Sequence, residues 1–215
     1  MNYKRLIRFS HKLISFLLPQ SCFLCGDNSI ECLCPACLGI LPFRESLQPC
    51  IDCSNIQVQA VFSYIYPIDK LIIAAKFSNN LAVLNLLGNL MAQHLTIENR
   101  PDVLIPVPLH SKRLRKRGYN QSLELAKRIT KKTGIPLAYK SCKRIKETLP
   151  QTSLSAQQRQ SHIVDAFEVI ELKKEWQHIV LIDDVMTTGA TVKELAKVFM
   201  KNGVQRVDVW CCASR

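Results

Sequence analysis

The stretch HIVLIDDVMTTGAT, residues 178–191, is where the chain declares its fold. Ile179, Val180, Leu181 and Ile182 run without a polar break, which is the pattern of a strand buried on both faces. Asp183 and Asp184 close that strand, and Thr187, Thr188, Gly189 and Thr191 follow. Val192, Leu195, Ala196 and Phe199 then recur at helical spacing up to Gly203, which reads as a C-cap. The order is strand, acid pair, hydroxyl-rich turn, helix.

That order has a chemical use. A turn that opens a helix aims several backbone N–H groups and the positive end of the helix dipole at one point. Gly189 lets backbone approach an anion, and the hydroxyls of Thr187, Thr188 and Thr191 can donate to phosphate oxygens. The two carboxylates would repel a phosphate they faced, so they fit better as acceptors for ribose hydroxyls. An ordinary Asp-Asp turn with a threonine N-cap explains the acids alone but not the whole string. A Walker A reading fails because no Gly-Lys-Ser/Thr is present.

The segment resembles the PRPP-binding loop of type I phosphoribosyltransferases. The resemblance implies that Asp183 and Asp184 take the ribose 2- and 3-hydroxyls. It also implies that Val185, Met186, Thr187, Thr188, Gly189, Ala190 and Thr191 wrap the 5-phosphate.

At 215 residues the chain has room for one full α/β domain and a small appendage. A hydrophobic fraction of 47% excludes a disordered chain. The 29 basic and 17 acidic residues leave a net charge of +12, which points to a polyanionic partner or an anionic membrane surface. No apolar run is long enough for a spanning helix. Ten cysteines in such a chain point to metal more than to disulfides.

The N-terminal stretch, residues 1–19, sets Lys4, Arg5, Arg8 and Lys12 among apolar residues and ends at Pro19. His11 and Lys12 break the apolar run and no small-residue cleavage site follows, so a basic amphipathic helix is expected rather than a signal peptide. Its apolar face either packs on the protein or lies on a membrane surface. Cys22-x-x-Cys25 and Cys34-x-x-Cys37 then form two knuckles, which together can place four thiolates at the corners of a zinc tetrahedron. Cys22, Cys25, Cys34 and Cys37 are therefore the expected structural zinc ligands. Cys32 is a further candidate, and Cys50 and Cys53 form a third pair without a fourth, which leaves metal on one side and bare thiols or a disulfide on the other equally open for them. Cys142, Cys211 and Cys212 lie in apolar runs and read as core.

Strands are expected at 59–66, 102–108, 138–142, 166–170 and 207–212, and helices at 68–77, 81–95 and 121–133. Their alternation implies a mainly parallel sheet with the phosphate turn at its carboxyl edge. Between 108 and 121, Lys112, Arg113, Arg115, Lys116 and Arg117 precede Gly118 and Tyr119. Five bases in six positions suit a pyrophosphate or a nucleic-acid backbone, and Tyr119 offers a stacking face beside them. A long polar segment follows residue 142 and reads as a mobile loop with a short helix.

Taken together, the basic N-terminal helix, the cysteine pairs, IPVPLH, RGYNQS, the polar segment and the phosphate turn resemble the ComF competence-protein family over essentially the whole length. The resemblance implies a type I phosphoribosyltransferase fold, Rossmann-like with a mainly parallel sheet, behind a small zinc ribbon. The expected divisions are 1–19 for the helix, 20–57 for the ribbon and 58–215 for the phosphoribosyltransferase-like domain. Pro108, Leu109 and His110 match a loop that would meet pyrophosphate, and Arg144, Gln151 and Arg159 a flexible loop that would close over it. This chain lacks the fourth C-x-x-C pair of many relatives and has His162 where an asparagine is common.

Two functions are consistent with these residues. One is a competence factor that binds a PRPP-like ligand with Mg²⁺ and single-stranded DNA, aiding DNA uptake across the inner membrane. Such a protein would be cytoplasmic, with or without peripheral contact with the uptake machinery. The other is an active phosphoribosyltransferase using PRPP in nucleotide or salvage metabolism. No catalytic residue or acceptor pocket can be named from the sequence for the second.

Overall fold

The structure is a computed structural model that describes residues 21–44, 48–49, 56–77, 80–147 and 163–215. The expected N-terminal helix, Cys50, Cys53, Gln151, Arg159 and His162 lie outside those residues. The chain divides into two compact units, Met1–Pro42 and Phe43–Arg215. Arg44 belongs to the second unit, where its guanidinium donates to the Ser214 hydroxyl at 3.0 Å.

In the first unit the described residues hold one short helix, α1 (Pro35–Gly39), whose start is set by Cys34. In the second unit β1 (Gln48–Pro49) pairs antiparallel with β2 (Gln57–Ser63). Helices α2 (Ile68–Phe77) and α3 (Leu81–His94) lead to β3 (Val103–Pro106). Helices α4 (Ser111–Arg117) and α5 (Gln121–Thr133) follow, then β4 (Cys142–Arg144) and β5 (Phe167–Val169). The chain closes with β6 (His178–Met186), α6 (Ala190–Lys201) and β7 (Arg206–Ser214).

The main sheet has the order β1-β2-β7-β6-β3, and its β2–β7, β7–β6 and β6–β3 pairings are parallel. This is the mainly parallel α/β architecture expected for a type I phosphoribosyltransferase fold. Side chains alternate across it, so Ile179 and Leu181 of β6 and Val207, Val209 and Cys211 of β7 join Val192, Leu195, Ala196 and Phe199 of α6 in one core. Helices α3 and α5 cover the other face. Gly88 lets α3 approach α5, because a Cβ there would stand 2.9 Å from Arg128 Cγ.

Three expectations are corrected. Strand β6 does not stop at the acid pair. It runs on to Met186 because β7 continues beside it, with Asp183 opposite Cys211 and Met186 opposite Ser214. The strand expected at 166–170 does not join the main sheet, since β5 pairs antiparallel with β4 in a separate two-stranded sheet. The strand expected at 138–142 is displaced to Cys142–Arg144. The segment before it lies along the outer edge of β3, where Leu104 donates to Pro136 and accepts from Ala138.

Candidate functional site

Asp183 and Asp184 stand near the carboxyl end of β6, both partly buried. Asp183 Oδ1 accepts from the Ser122 hydroxyl at 3.2 Å and from the Asp184 amide at 2.9 Å. Burial and the neighbouring Asp184 charge push the Asp183 carboxyl up to about 7, against the pull of Lys76 and of those two hydrogen bonds. Asp184 pairs with Lys76 of α2 at 2.9 Å. Burial works against the Lys76 ammonium, but the charges of Asp184 and Asp183 outweigh it and hold the group above its ordinary range. The acid pair thus has one braced member and one neutralised member.

After Met186 the chain turns through Thr187, Thr188 and Gly189 into α6. Gly189 is the N-cap at φ 71°, a left-handed conformation that a side chain rarely adopts. It makes no side-chain cap bond, and the Thr188 hydroxyl, on an exposed residue, accepts from the Ala190 amide only at 3.4 Å. Among the described residues, the N-terminus of this three-turn helix therefore has only that one weak cap from the Thr188 side chain. Val185, Met186, Thr187, Ala190 and Thr191 are partly exposed around it, and Gly189 is buried.

The motif RGYNQS holds this region together. Tyr119 donates its hydroxyl to the Ala75 carbonyl of α2. Asn120 donates to the Val107 carbonyl at 3.0 Å just after β3, and its side-chain oxygen caps α5 through the Ser122 amide. Gln121 is buried and accepts from Arg117 at 2.7 Å. These bonds fix the start of α5, and with it the hydroxyl that meets Asp183.

Among the expected pyrophosphate-loop residues, Pro108 is buried and Leu109 and His110 are partly exposed. His110 caps α4, accepting weakly from the Lys112 amide at 3.4 Å, and bridges to Arg144. Arg144, expected in the mobile loop, ends β4 instead and is buried, with its guanidinium 5.5 Å from the Phe167 ring centroid. Burial and the nearby Arg113 charge lower its pKa to about 10, while Asp183 acts in the opposite direction.

The basic stretch forms α4, a helix whose single apolar residue, Leu114, gives no periodicity to announce it. Lys112, Arg115 and Lys116 are exposed, and Arg113, Arg117 and Tyr119 partly so. Lys112 pairs with Glu147 at 2.5 Å, so not every positive charge of the stretch is uncompensated.

In the first unit, Sγ atoms of Cys22, Cys25, Cys34 and Cys37 all lie within 4.8 Å of one another. The Cys25 and Cys34 sulfurs are 3.7 Å apart, and ~2.3 Å bonds in a tetrahedron would put sulfurs about 3.8 Å apart. Burial opposes ionisation of Cys22, yet the amides of Cys25, Cys34 and Leu24 draw its pKa down to about 6. This cluster can hold a metal such as zinc. Cys32 is not part of it. Cys142, Cys211 and Cys212 are buried in the second unit, as expected.

No family model matches the chain. The DNA utilization protein YhgH of Salmonella typhimurium is 33% identical over 190 residues, 83% of this chain and 82% of that protein. Competence protein F of Haemophilus influenzae is 35% identical over 155 residues, 68% of each chain. The chain belongs to the ComF family. Competence protein ComFC of Bacillus subtilis is 26% identical over 187 residues, 85% of this chain and 72% of that one. Among solved structures, the glutamine PRPP amidotransferase of B. subtilis aligns with a TM-score of 0.44 and 19% identity, covering 66% of this chain and 30% of that one.

Two residues of this ComF protein reach the acid pair from elements that the sequence reading did not connect to it: Lys76 and Ser122. Lys76 carried no local signal, because a lysine in the last turn of a helix reads as a dipole partner. Ser122 sat inside a quoted motif, but only the packing of α5 on β6 shows what its hydroxyl meets. Among the described residues, no helix is long and apolar enough to cross a membrane.

Proposed function

We propose that this ComF protein acts in the use or uptake of DNA, holding a phosphoribosyl ligand such as PRPP with Mg²⁺ at one site and single-stranded DNA at another. The single observation that carries the ligand site is the helix start at Gly189, which has no side-chain cap from its own residue and follows directly on a braced acid pair. A 5-phosphate would sit on the amides of the 187–191 turn, and the ribose hydroxyls on Asp183 and Asp184. Pro108, Leu109, His110 and Arg144 would border the pyrophosphate, joined by Gln151 and Arg159. The names of the relatives, competence and DNA utilization proteins, support the DNA role. The surface for it is α4 with Lys112, Arg113, Arg115, Lys116, Arg117 and Tyr119. Cys22, Cys25, Cys34 and Cys37 would hold zinc in a closed, structural site with no open position. The domain plan remains the proposed one, a basic N-terminal helix and a zinc ribbon ahead of the phosphoribosyltransferase-like domain. The proposed setting is the cytoplasm, with peripheral contact at inner-membrane uptake machinery.

The test is calorimetric titration with PRPP and Mg²⁺, repeated on Asp183→Ala/Asp184→Ala, alongside binding of a labelled single strand at rising salt. Saturable PRPP binding that the double variant loses, and DNA binding that falls steeply with salt, are the expected results. No heat with PRPP would sink the ligand site, and indifference to single strands at low salt would sink the DNA role. Release of pyrophosphate in the presence of candidate bases would move the conclusion to a working phosphoribosyltransferase.

A further inference from the structure

Helix α2 buries Ile68, Leu71, Ile72, Ala74 and Ala75, and its exposed side carries apolar residues as well as Lys70. Ile73 is 49% exposed and Phe77, one turn later on the same side, is 71% exposed. Ile73 and Phe77 lie side by side, so they expose one contiguous apolar strip rather than a lone ring. The Arg117 guanidinium of α4 lies 5.6 Å from the centroid of that ring. Arg117 and exposed Leu114 are three residues apart, so they share a side of α4, and Arg115 and Lys116 are exposed on the same helix. The Tyr119–Ala75 hydrogen bond locks α2 to the end of this basic segment. An exposed ring is thus held beside the Arg117 guanidinium, at the end of the basic helix.

Tyr119 is poorly suited to be the platform for a base, because its hydroxyl is engaged and its residue is half-buried. Phe77 has no such tie among the described contacts. We propose that Phe77, beside Arg117 at the end of the basic helix α4, is a base-stacking platform for single-stranded DNA. The inference rests on the DNA role above and adds the residue that would distinguish an unpaired strand from a duplex. Duplex bases are already stacked on one another and present only backbone to such a surface, whereas an unpaired base can lie flat on the ring. The charge complementarity of α4 with phosphate selects a polyanion, and the ring selects one with free bases.

The experiment uses the full chain and fluorescence anisotropy with a thymidine oligonucleotide, its abasic equivalent and a duplex. Phe77→Ala is expected to weaken binding of the thymidine strand roughly tenfold or more and leave the abasic strand within about twofold. Phe77→Trp is expected to restore affinity and to show tryptophan quenching, beyond any in the wild type, with the thymidine strand but not the abasic one. Lys112→Ala/Arg115→Ala/Lys116→Ala should weaken both strands alike. If that triple variant loses affinity while Phe77→Ala matches wild type and Phe77→Trp is not quenched, the platform is wrong and the basic helix still binds DNA. If wild type binds no single strand at low salt, both the platform and the DNA role fall.

Discussion

Helices α3 and α6 begin in opposite ways. Helix α3 starts from Asn80, whose side-chain oxygen accepts from the Val83 amide at 3.1 Å, so the chain supplies its own cap. Helix α6 starts from a glycine in the left-handed region, which has no side chain to cap it with. The first start is capped by its own residue, and at the second, among the described residues, only the Thr188 hydroxyl reaches an amide, that of Ala190 at 3.4 Å. Helix α1 is a third kind, since its Cys34 sulfur accepts from the Cys37 amide at 3.5 Å while belonging to the four-thiol cluster. The difference teaches that a helix N-terminus is informative about ligands only when its cap is missing or doubly used.

The sharpest way to break this contrast is at the acids beside the uncapped start. Replacing Asp183 and Asp184 together by alanine is expected to weaken Mg²⁺–PRPP binding by about a hundredfold or more, since each would lose a charge-assisted hydrogen bond. Calorimetry reads this directly, and unchanged affinity would make α6 an ordinary helix that merely lacks a cap. At α1, Cys34→Ser keeps an oxygen able to cap the helix but removes a thiolate. Zinc content measured after exhaustive dialysis is expected to fall from about one ion per chain to near zero. Retained zinc would show that Cys34 is only a cap.

Acidity gives a smaller, graded effect. Asp183 is held up at about 7, so its carboxyl is mainly protonated at pH 6 and ionised at pH 8. A ligand that needs the carboxylate as acceptor should bind more tightly as pH rises, approaching about tenfold per unit below pH 7 and levelling above it. Without ligand the sign is reversed. The folded state holds this proton more tightly than the unfolded chain, where the value is 3.8, so stability falls as pH rises from about 4 to 7. Asp183→Asn should remove that fall in a series of denaturant melts. The smallest effects separate the two helix starts most cleanly. Asn80→Ala is expected to cost about 1 kcal/mol and lower Tm by roughly 2–4 °C, with PRPP affinity intact. Thr188→Ala should leave Tm within about a degree and weaken PRPP severalfold.

Much of this was legible from local pattern. The unbroken apolar run Ile179–Ile182 needed no partner to read as a buried strand, and the spacing of Val192, Leu195, Ala196 and Phe199 marked the buried face of α6. Helix α5 was found at its true limits for the same reason. The extension of β6 to Met186 was not legible, because it depends on β7 running alongside. Strands β4 and β5 were assigned to the wrong sheet because three residues each carry too little pattern to reveal their partner, and their pairing is visible only in contacts such as Lys143 with Glu168 at 3.1 Å. Of the acid pair's surroundings, the hydroxyl of Ser122 and the ammonium of Lys76 come from 61 and 108 residues away from their carboxylates, distances over which periodicity says nothing.

The outer border of β3 has a consequence for how other chains can meet this protein. Leu104 spends both its backbone groups on Pro136 and Ala138, and Pro106 has no amide hydrogen to offer. That margin is sealed against strand addition, the route by which exposed sheet borders recruit extended peptides or one another. Partners arriving on this flank must be recognised through side chains, and the protein is protected there from zipping onto its own copies.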